Sequence, residues 1–285
     1  MRLAWFTTLS GALVLLSGCA QFGEEQDESP GSKGELLQEA AGALTIQNAL
    51  SLNALSLNAL SLNALSLNAL SLDGLSAQNL QALRDPGTAG QLSRQFLHYA
   101  VGCALESGQS FTLPWTDTDG AVRHETYAGE LGLIDSWKSR PLKVVEQRLV
   151  SACLAARVNL HGVSVTISIR SPQKALKLNP SSTELQDFPQ VEGAFWGNLF
   201  APTPQLFACH NSATIGNSRA WQRDCTTGYL NEEGELEACG PIQIVGACSE
   251  VCKSIKPSGQ YYPECMERPG QGSSMIKEVI TTALP

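Results

Sequence analysis

The sequence predicts an α+β fold: a disulfide-stabilised domain preceded by a short leucine-rich repeat of five-residue period, in turned strands or a partial β-solenoid. Three observations carry this. Apolar residues recur at three- and four-residue spacing in two segments of the middle third, and a neighbouring run alternates between β-branched and hydroxyl residues. Cysteines concentrate in the second half of the chain.

The chain opens with one positive charge, Arg2, followed by an apolar run from Leu3 to Leu16 broken only by small hydroxyl and glycine residues, and then LSGC. That is the layout of a secretory signal. The run is short and rich in Ser, Thr and Gly beside the roughly 20 apolar residues that a bilayer span needs; a retained membrane helix is the competing reading. Leu16-Ser17-Gly18-Cys19 resembles the lipobox of bacterial lipoproteins. The resemblance implies cleavage of residues 1–18, a diacylglycerol on the Cys19 sulfur and acylation of the new amino group. Ala20 in place of aspartate implies, by the same resemblance, the outer membrane, on its periplasmic or cell-surface face. One acyl chain binds a bilayer marginally and two or more anchor it, so Cys19 carries the membrane assignment.

Residues 19–39 hold Glu24, Glu25, Asp27 and Glu28 beside Pro30 and Gly31. Such a stretch buries too little apolar surface to offset its ordering entropy and reads as a disordered tether.

Residues 40–84 form the repeat segment. Four copies of LSLNA fill residues 50–69; LSLDG at 70–74 and LSAQN at 75–79 are degraded copies. On a helix each copy is rotated by about 140° from the last, so no single apolar face results. On one flat strand, Leu50 and Leu52 face opposite to Leu55 and Leu57. A turn at each Asn-Ala would let the leucine pairs point inward. That pattern is similar to pentapeptide-repeat proteins over residues 45–79, which implies a square β-helix with one side per five residues. It departs from the family where a small residue is expected, since Leu55 stands two before Leu57. A solenoid needs at least about three stacked units for a continuous core. Short strands laid against the body, a spacer, and self-pairing between chains stay open.

Asp85-Pro86-Gly87 breaks the pattern. Residues 88–170 read as helix, hairpin, helix and strand. Leu92, Phe96, Leu97, Ala100, Val101, Ala104 and Leu105 define the first helix; Asp119-Gly120 marks the hairpin turn. Leu142, Val145, Leu149, Ala152, Cys153 and Ala156 form the second helical stripe, after Pro141. Val163, Val165, Ile167 and Ile169 alternate with polar residues as a half-buried strand. Residues 171–285 are a loop-rich, cysteine-containing remainder of the same domain or a small lobe.

Setting Cys19 aside leaves eight cysteines, an even number that reads as disulfides in an exported chain. The two helices predict Cys103–Cys153. Cys209–Cys225, Cys239–Cys252 and Cys248–Cys265 are the expected remaining pairs. A metal site is the competing reading, but the four histidines lack ligand spacing and no CxxC occurs.

Loss of Arg2 with the signal takes the formal charge from −8 to −9, which argues against nucleic acid as a partner. Asp117-Thr118-Asp119-Gly120 begins like a calcium loop, but Ala128 stands where a bidentate glutamate is needed, so it reads as a turn. His161 reads as a loop residue, and His210 beside Cys209 as the neighbour of a half-cystine. The sequence has no GxSxG, HExxH or P-loop motif. No catalytic, metal or cofactor residue is therefore predicted. Trp196, Trp221 and Tyr229, within an aromatic-rich second half, form either a binding surface or the cores of disulfide-stapled lobes.

The expected function is that of a non-enzymatic, membrane-anchored envelope lipoprotein that presents a binding or structural domain on the repeat spacer to an envelope or extracellular protein or glycan. A secreted hydrolase with a scattered active site and a repeat-mediated self-assembly protein are the alternatives.

Overall fold

The stripes that define the two helices also set how they pack. In the computed structural model the described residues are 38–40, 43–51, 53–56, 63–159, 164–176, 180–214, 223, 240–272 and 274–285. The expected signal peptide, Cys19 and most of the tether lie outside them, as do His161, Trp221, Cys225, Tyr229 and Cys239. Glu35–Pro285 cluster as one unit, so the repeat and the cysteine-rich remainder share a body with the central region.

Helix α1 (Ala77–Arg84) is capped by Ser76, whose Oγ accepts from the Asn79 N–H at 3.1 Å. Asp85-Pro86-Gly87 turns the chain into α2 (Thr88–Ala104). The turn is tight enough that a Cβ on Gly90 would lie 1.8 Å from the Asp85 carbonyl oxygen. Phe96, Leu97, Ala100, Val101 and Ala104 are buried, the stripe the spacing predicts. Arg94 reaches back to donate to the carbonyls of Leu83 (3.0 Å) and Asp85 (2.8 Å). These carbonyls at the end of α1 would otherwise lack helical partners.

Strands β4 (Ser110–Thr116) and β5 (Val122–Ala128) form the expected antiparallel hairpin. Glu125 docks it on α2, accepting from Trp115 Nε1 at 2.8 Å and Tyr127 Oη at 2.6 Å and pairing with Arg94 at 3.2 Å. The Arg94 guanidinium lies 3.7 Å above the Trp115 ring. In the hairpin turn, Asp117 and Asp119 are engaged by Arg123 at 3.2 and 2.9 Å.

Helix α3 (Val144–Ala156) buries Leu149, Ala152, Cys153 and Ala156, but Val145, expected on that stripe, is 55% exposed. The helix starts at Val144, and burial begins only one turn later.

A seven-stranded sheet follows, in the order β1 (Gln38–Ala40), β2 (Ala43–Asn48), β7 (Val165–Arg170), β13 (Ile280–Leu284), β8 (Gln190–Asn198), β9 (Gln205–His210) and β10 (Ile242–Ala247). Its pairs are antiparallel except β9 with β10. The last strand of the chain thus sits in the middle of the sheet. A separate parallel pair joins β3 (Leu50–Ser51) to β6 (Val158–Asn159). Both faces of β8 are covered: Phe195 enters the core with α2 and α3, whereas Ala194 and Trp196 enter a second core with Phe207, Cys209, Cys248 and Tyr262. Helix α4 (Ser182–Asp187) precedes β8, and the second core lies against α5 (Cys248–Val251) and the short pair β11 (Cys265–Met266) and β12 (Met275–Ile276).

The repeat is built into the first core. Leu50, Leu55, Leu65, Leu70 and Leu75, the first leucine of each described copy, are at most 6% exposed and belong to the main cluster. The third position faces outward: Leu67 is 63% exposed and Leu72 37%. The serines explain how a period of five achieves this. Ser51, Ser71 and Ser76 each accept, through Oγ, the backbone N–H three residues on, at 3.2, 3.0 and 3.1 Å. Each therefore starts a short turn that re-aims the chain, so that the next first-position leucine points inward again. From Leu50 on, the described residues of the repeat include β3, a helical turn at 53–56, a 3₁₀ turn at Asn63–Leu67, a turn at 71–74 and α1. No β-solenoid is seen among them: the domain core, not stacked coils, buries the first leucine of each described copy.

Three disulfides are present among the described residues. Cys103–Cys153 joins α2 to α3, with Cα atoms 6.1 Å apart and a sequence separation of 50. In the chain-entropy model a loop of that length contributes about 4 kcal/mol. The other expected pairs are corrected. Cys209 bonds Cys248 instead of Cys225, and Cys252 bonds Cys265, which removes Cys239–Cys252 and Cys248–Cys265. Strand pairing is the reason: His210 sits beside Ala247, so the start of α5 brings Cys248 to Cys209.

Glu192 and Arg223, both fully buried, form an ion pair at 2.8 Å. Thr282 Oγ1 also donates to Glu192, at 2.6 Å, and Arg223 donates to the carbonyls of Ala156 (3.0 Å) and Val158 (2.9 Å). The pair thereby ties β8 and β13 to the end of α3.

Candidate binding cleft

Where β8 ends, the chain must turn away from α3, and a cleft of about 410 Å³ opens there. Gly197 shapes its wall. Its φ is +128°, and a Cβ would lie 2.2 Å from the Gln205 carbonyl oxygen, so only glycine fits. Asn198 follows, donating through Nδ2 to Gln147 Oε1 at 3.1 Å while its Oδ1 accepts from the Phe200 N–H at 2.9 Å. Gln147 in turn donates to Ser66 Oγ at 3.2 Å and to the Leu142 carbonyl at 3.3 Å. Helix, sheet and repeat are therefore tied together by one chain of amide and hydroxyl groups.

The cleft has an apolar part and a charged end. Phe200, Phe207 and Ile276 line it and are nearly buried, whereas Leu67 and Val144 line it and are 63% and 56% exposed. At the charged end stand Arg148, Glu267 and Arg268. Arg148 donates to Glu267 Oε1, and Ser274 Oγ donates to Glu267 Oε2 at 3.0 Å. Arg268 is exposed and has no carboxylate partner among the described residues. The volume is within the range of small-molecule sites, roughly 300–1,000 Å³. The described lining residues include no histidine, serine or cysteine; the arrangement offers guanidinium, amide and apolar contacts with the Thr203 hydroxyl and the Glu267 carboxylate.

Trp196, Cys209 and His210, the described residues singled out as candidates by sequence, are not among the lining residues. Trp196 is fully buried, stacked on Phe207 with ring centroids 5.8 Å apart, so it forms core and not a binding surface. Cys209 is a half-cystine, and beside it His210 has its Nδ1 buried without a hydrogen-bond partner among the described residues. Burial holds the ring below its ordinary pKa, against the opposing pull of Glu250. The sulfurs of Cys209, Cys248 and Cys252 lie within 4.8 Å of one another, but each is half of a disulfide and is no free thiolate ligand.

Arg148, Arg268, Gln147, Asn198 and Leu67 carry no motif. The one repeat residue among the described lining residues is Leu67, the second leucine of its copy and surplus to the one the core needs.

Comparison with family models, with curated proteins and with solved structures found no match. The disulfides are those of an extracytoplasmic domain. No helix among the described residues is long and apolar enough to cross a membrane.

Proposed function

We propose that this chain is a non-enzymatic, lipid-anchored envelope lipoprotein whose disulfide-stabilised domain binds an envelope or extracellular component at the cleft beside β8. The observation that carries the reading is the cleft itself, a volume of about 410 Å³ lined by exposed Leu67 and Val144 together with Arg148 and Arg268. Exposed apolar side chains beside guanidinium groups are recognition chemistry. Leu16-Ser17-Gly18-Cys19 supports the anchor, and the acidic residues that follow support a tether. In this reading the repeat does not hold the domain off the membrane; it builds one lip of the site.

Two measurements test the proposal. A photo-crosslinking residue placed at Leu67 in bacteria captures a defined envelope component, whereas one at Val122, equally exposed on the β4–β5 hairpin, does not. Equal capture at both positions, or none at Leu67, removes the cleft as the site. Cys19→Ser releases the chain from the membrane fraction; retention there removes the lipid anchor.

A further inference from the structure

We infer that the cleft accepts a small anionic amphiphile, a carboxylate carried on a compact apolar body; this inference rests on the binding reading above. The lining residues restrict the ligand from both sides. Leu67 and Val144, 63% and 56% exposed, remain wet against an inorganic anion, which covers only the charged end. A purely apolar ligand desolvates the guanidinium groups of Arg148 and Arg268 and offers them no acceptor, which is costly. A cationic ligand meets one carboxylate, Glu267, which already pairs with Arg148 and accepts from Ser274, and it is repelled by the two guanidinium groups in the same lining.

An anion is the ligand charge that the lining favours, since two guanidinium groups stand there against one carboxylate. A guanidinium has five N–H donors in a planar fork suited to a carboxylate. Arg148 spends one on Glu267, and Arg268 has no carboxylate partner among the described residues. The chain as a whole carries a formal charge of −8, so its overall field does not attract anions. Selection therefore happens by contact at these two arginines. The amide chain from Asn198 through Gln147 to Ser66 holds the wall in place without offering itself to the ligand, because those groups are already paired.

The test uses the full chain in phospholipid nanodiscs, titrated calorimetrically with three water-soluble probes of one shape: 4-phenylbutyrate, 4-phenylbutanol and 4-phenylbutylamine. Empty nanodiscs provide the partitioning blank. The carboxylate binds, and the alcohol and amine bind at least about tenfold more weakly, the size of one charge-assisted hydrogen bond. Arg268→Ala weakens the carboxylate by a similar factor and leaves the alcohol unchanged, and Leu67→Ser weakens all three. Arg268 is exposed, so its variant keeps the fold, which an unchanged melting temperature verifies. Equal binding of the three probes, binding of none, or an Arg268→Ala variant with unaltered carboxylate affinity overturns the inference. Capture of an envelope component at Leu67 alongside such a result leaves the binding reading standing, while carboxylate-selective binding without capture removes that reading alone.

Discussion

The side-chain amide of Gln147 on α3 donates to the hydroxyl of Ser66 in the repeat, 3.2 Å away, with both residues buried. The Ser66 carbonyl also accepts from the Leu142 N–H at 2.9 Å. The most regular stretch of the sequence is thus fastened to the helix that lines the cleft. A repeat that appears self-sufficient by its period is, in the fold, one layer of a core whose other layers come from residues tens of positions away.

The two leucines of a repeat copy have opposite duties, and single substitutions separate them. Leu65→Ala removes a fully buried side chain and lowers stability by about 2 to 5 kcal/mol. Leu67→Ala, two residues on and 63% exposed, changes stability by less than about 0.5 kcal/mol. Urea titrations of the two variants measure the difference. Similar losses would mean that both leucines are core.

The Glu192–Arg223 pair predicts an asymmetric response. Arg223→Met leaves the Glu192 carboxylate buried with Thr282 as its remaining side-chain donor among the described residues, and costs about 3 to 5 kcal/mol. Replacing both residues, as Glu192→Gln with Arg223→Met, recovers part of that loss because no buried charge stays unpaired. A double-mutant cycle by chemical denaturation provides the measurement. Additive effects would show that the two side chains do not interact.

Peptide mapping under non-reducing conditions recovers Cys103 linked to Cys153, Cys209 to Cys248 and Cys252 to Cys265. Recovery of Cys209 linked to Cys225 would contradict the parallel pairing of β9 with β10. Replacing Cys103 and Cys153 together by serine costs about 2 to 5 kcal/mol, read as a lowered urea midpoint.

Burial depresses the pKa of His210, so the folded chain binds fewer protons at this ring than the unfolded chain does as pH falls below the ordinary value of 6.5. Stability contributed by the neutral ring is present above that value and is lost as pH falls through the depressed one. His210→Gln flattens this part of the stability–pH curve. An unchanged slope between pH 6.5 and the acid limb, followed by thermal melting, would remove His210 as its cause.

Local chemistry was legible in the sequence wherever a pattern closes within one element. The stripe from Phe96 to Ala104, the alternation through Val165, Ile167 and Ile169, and the turn at Asp119-Gly120 define α2, β7 and the β4–β5 hairpin, because helical and strand periods follow from backbone geometry alone. Cys103–Cys153 could be read from the same stripes, since each cysteine lies on a face that must be buried. The cleft was not legible: its residues come from the repeat, α3, β8, β9 and the β11–β12 region, and none carries a spacing that marks it.

By itself, the sequence determined an α+β domain, eight cysteines besides Cys19, an even number suited to disulfides, and a five-residue period incompatible with one helical face. Tertiary structure decided the rest. It placed the last strand at the centre of the sheet, paired Cys209 with Cys248 across β9 and β10, and turned one leucine of each described copy into the core and Leu67 and Leu72 outward. The physical reason is the same in each case. A residue's period sets the direction of its side chain relative to its own element, but which surface waits on that side depends on contacts distant in sequence, whose free energy no local pattern encodes.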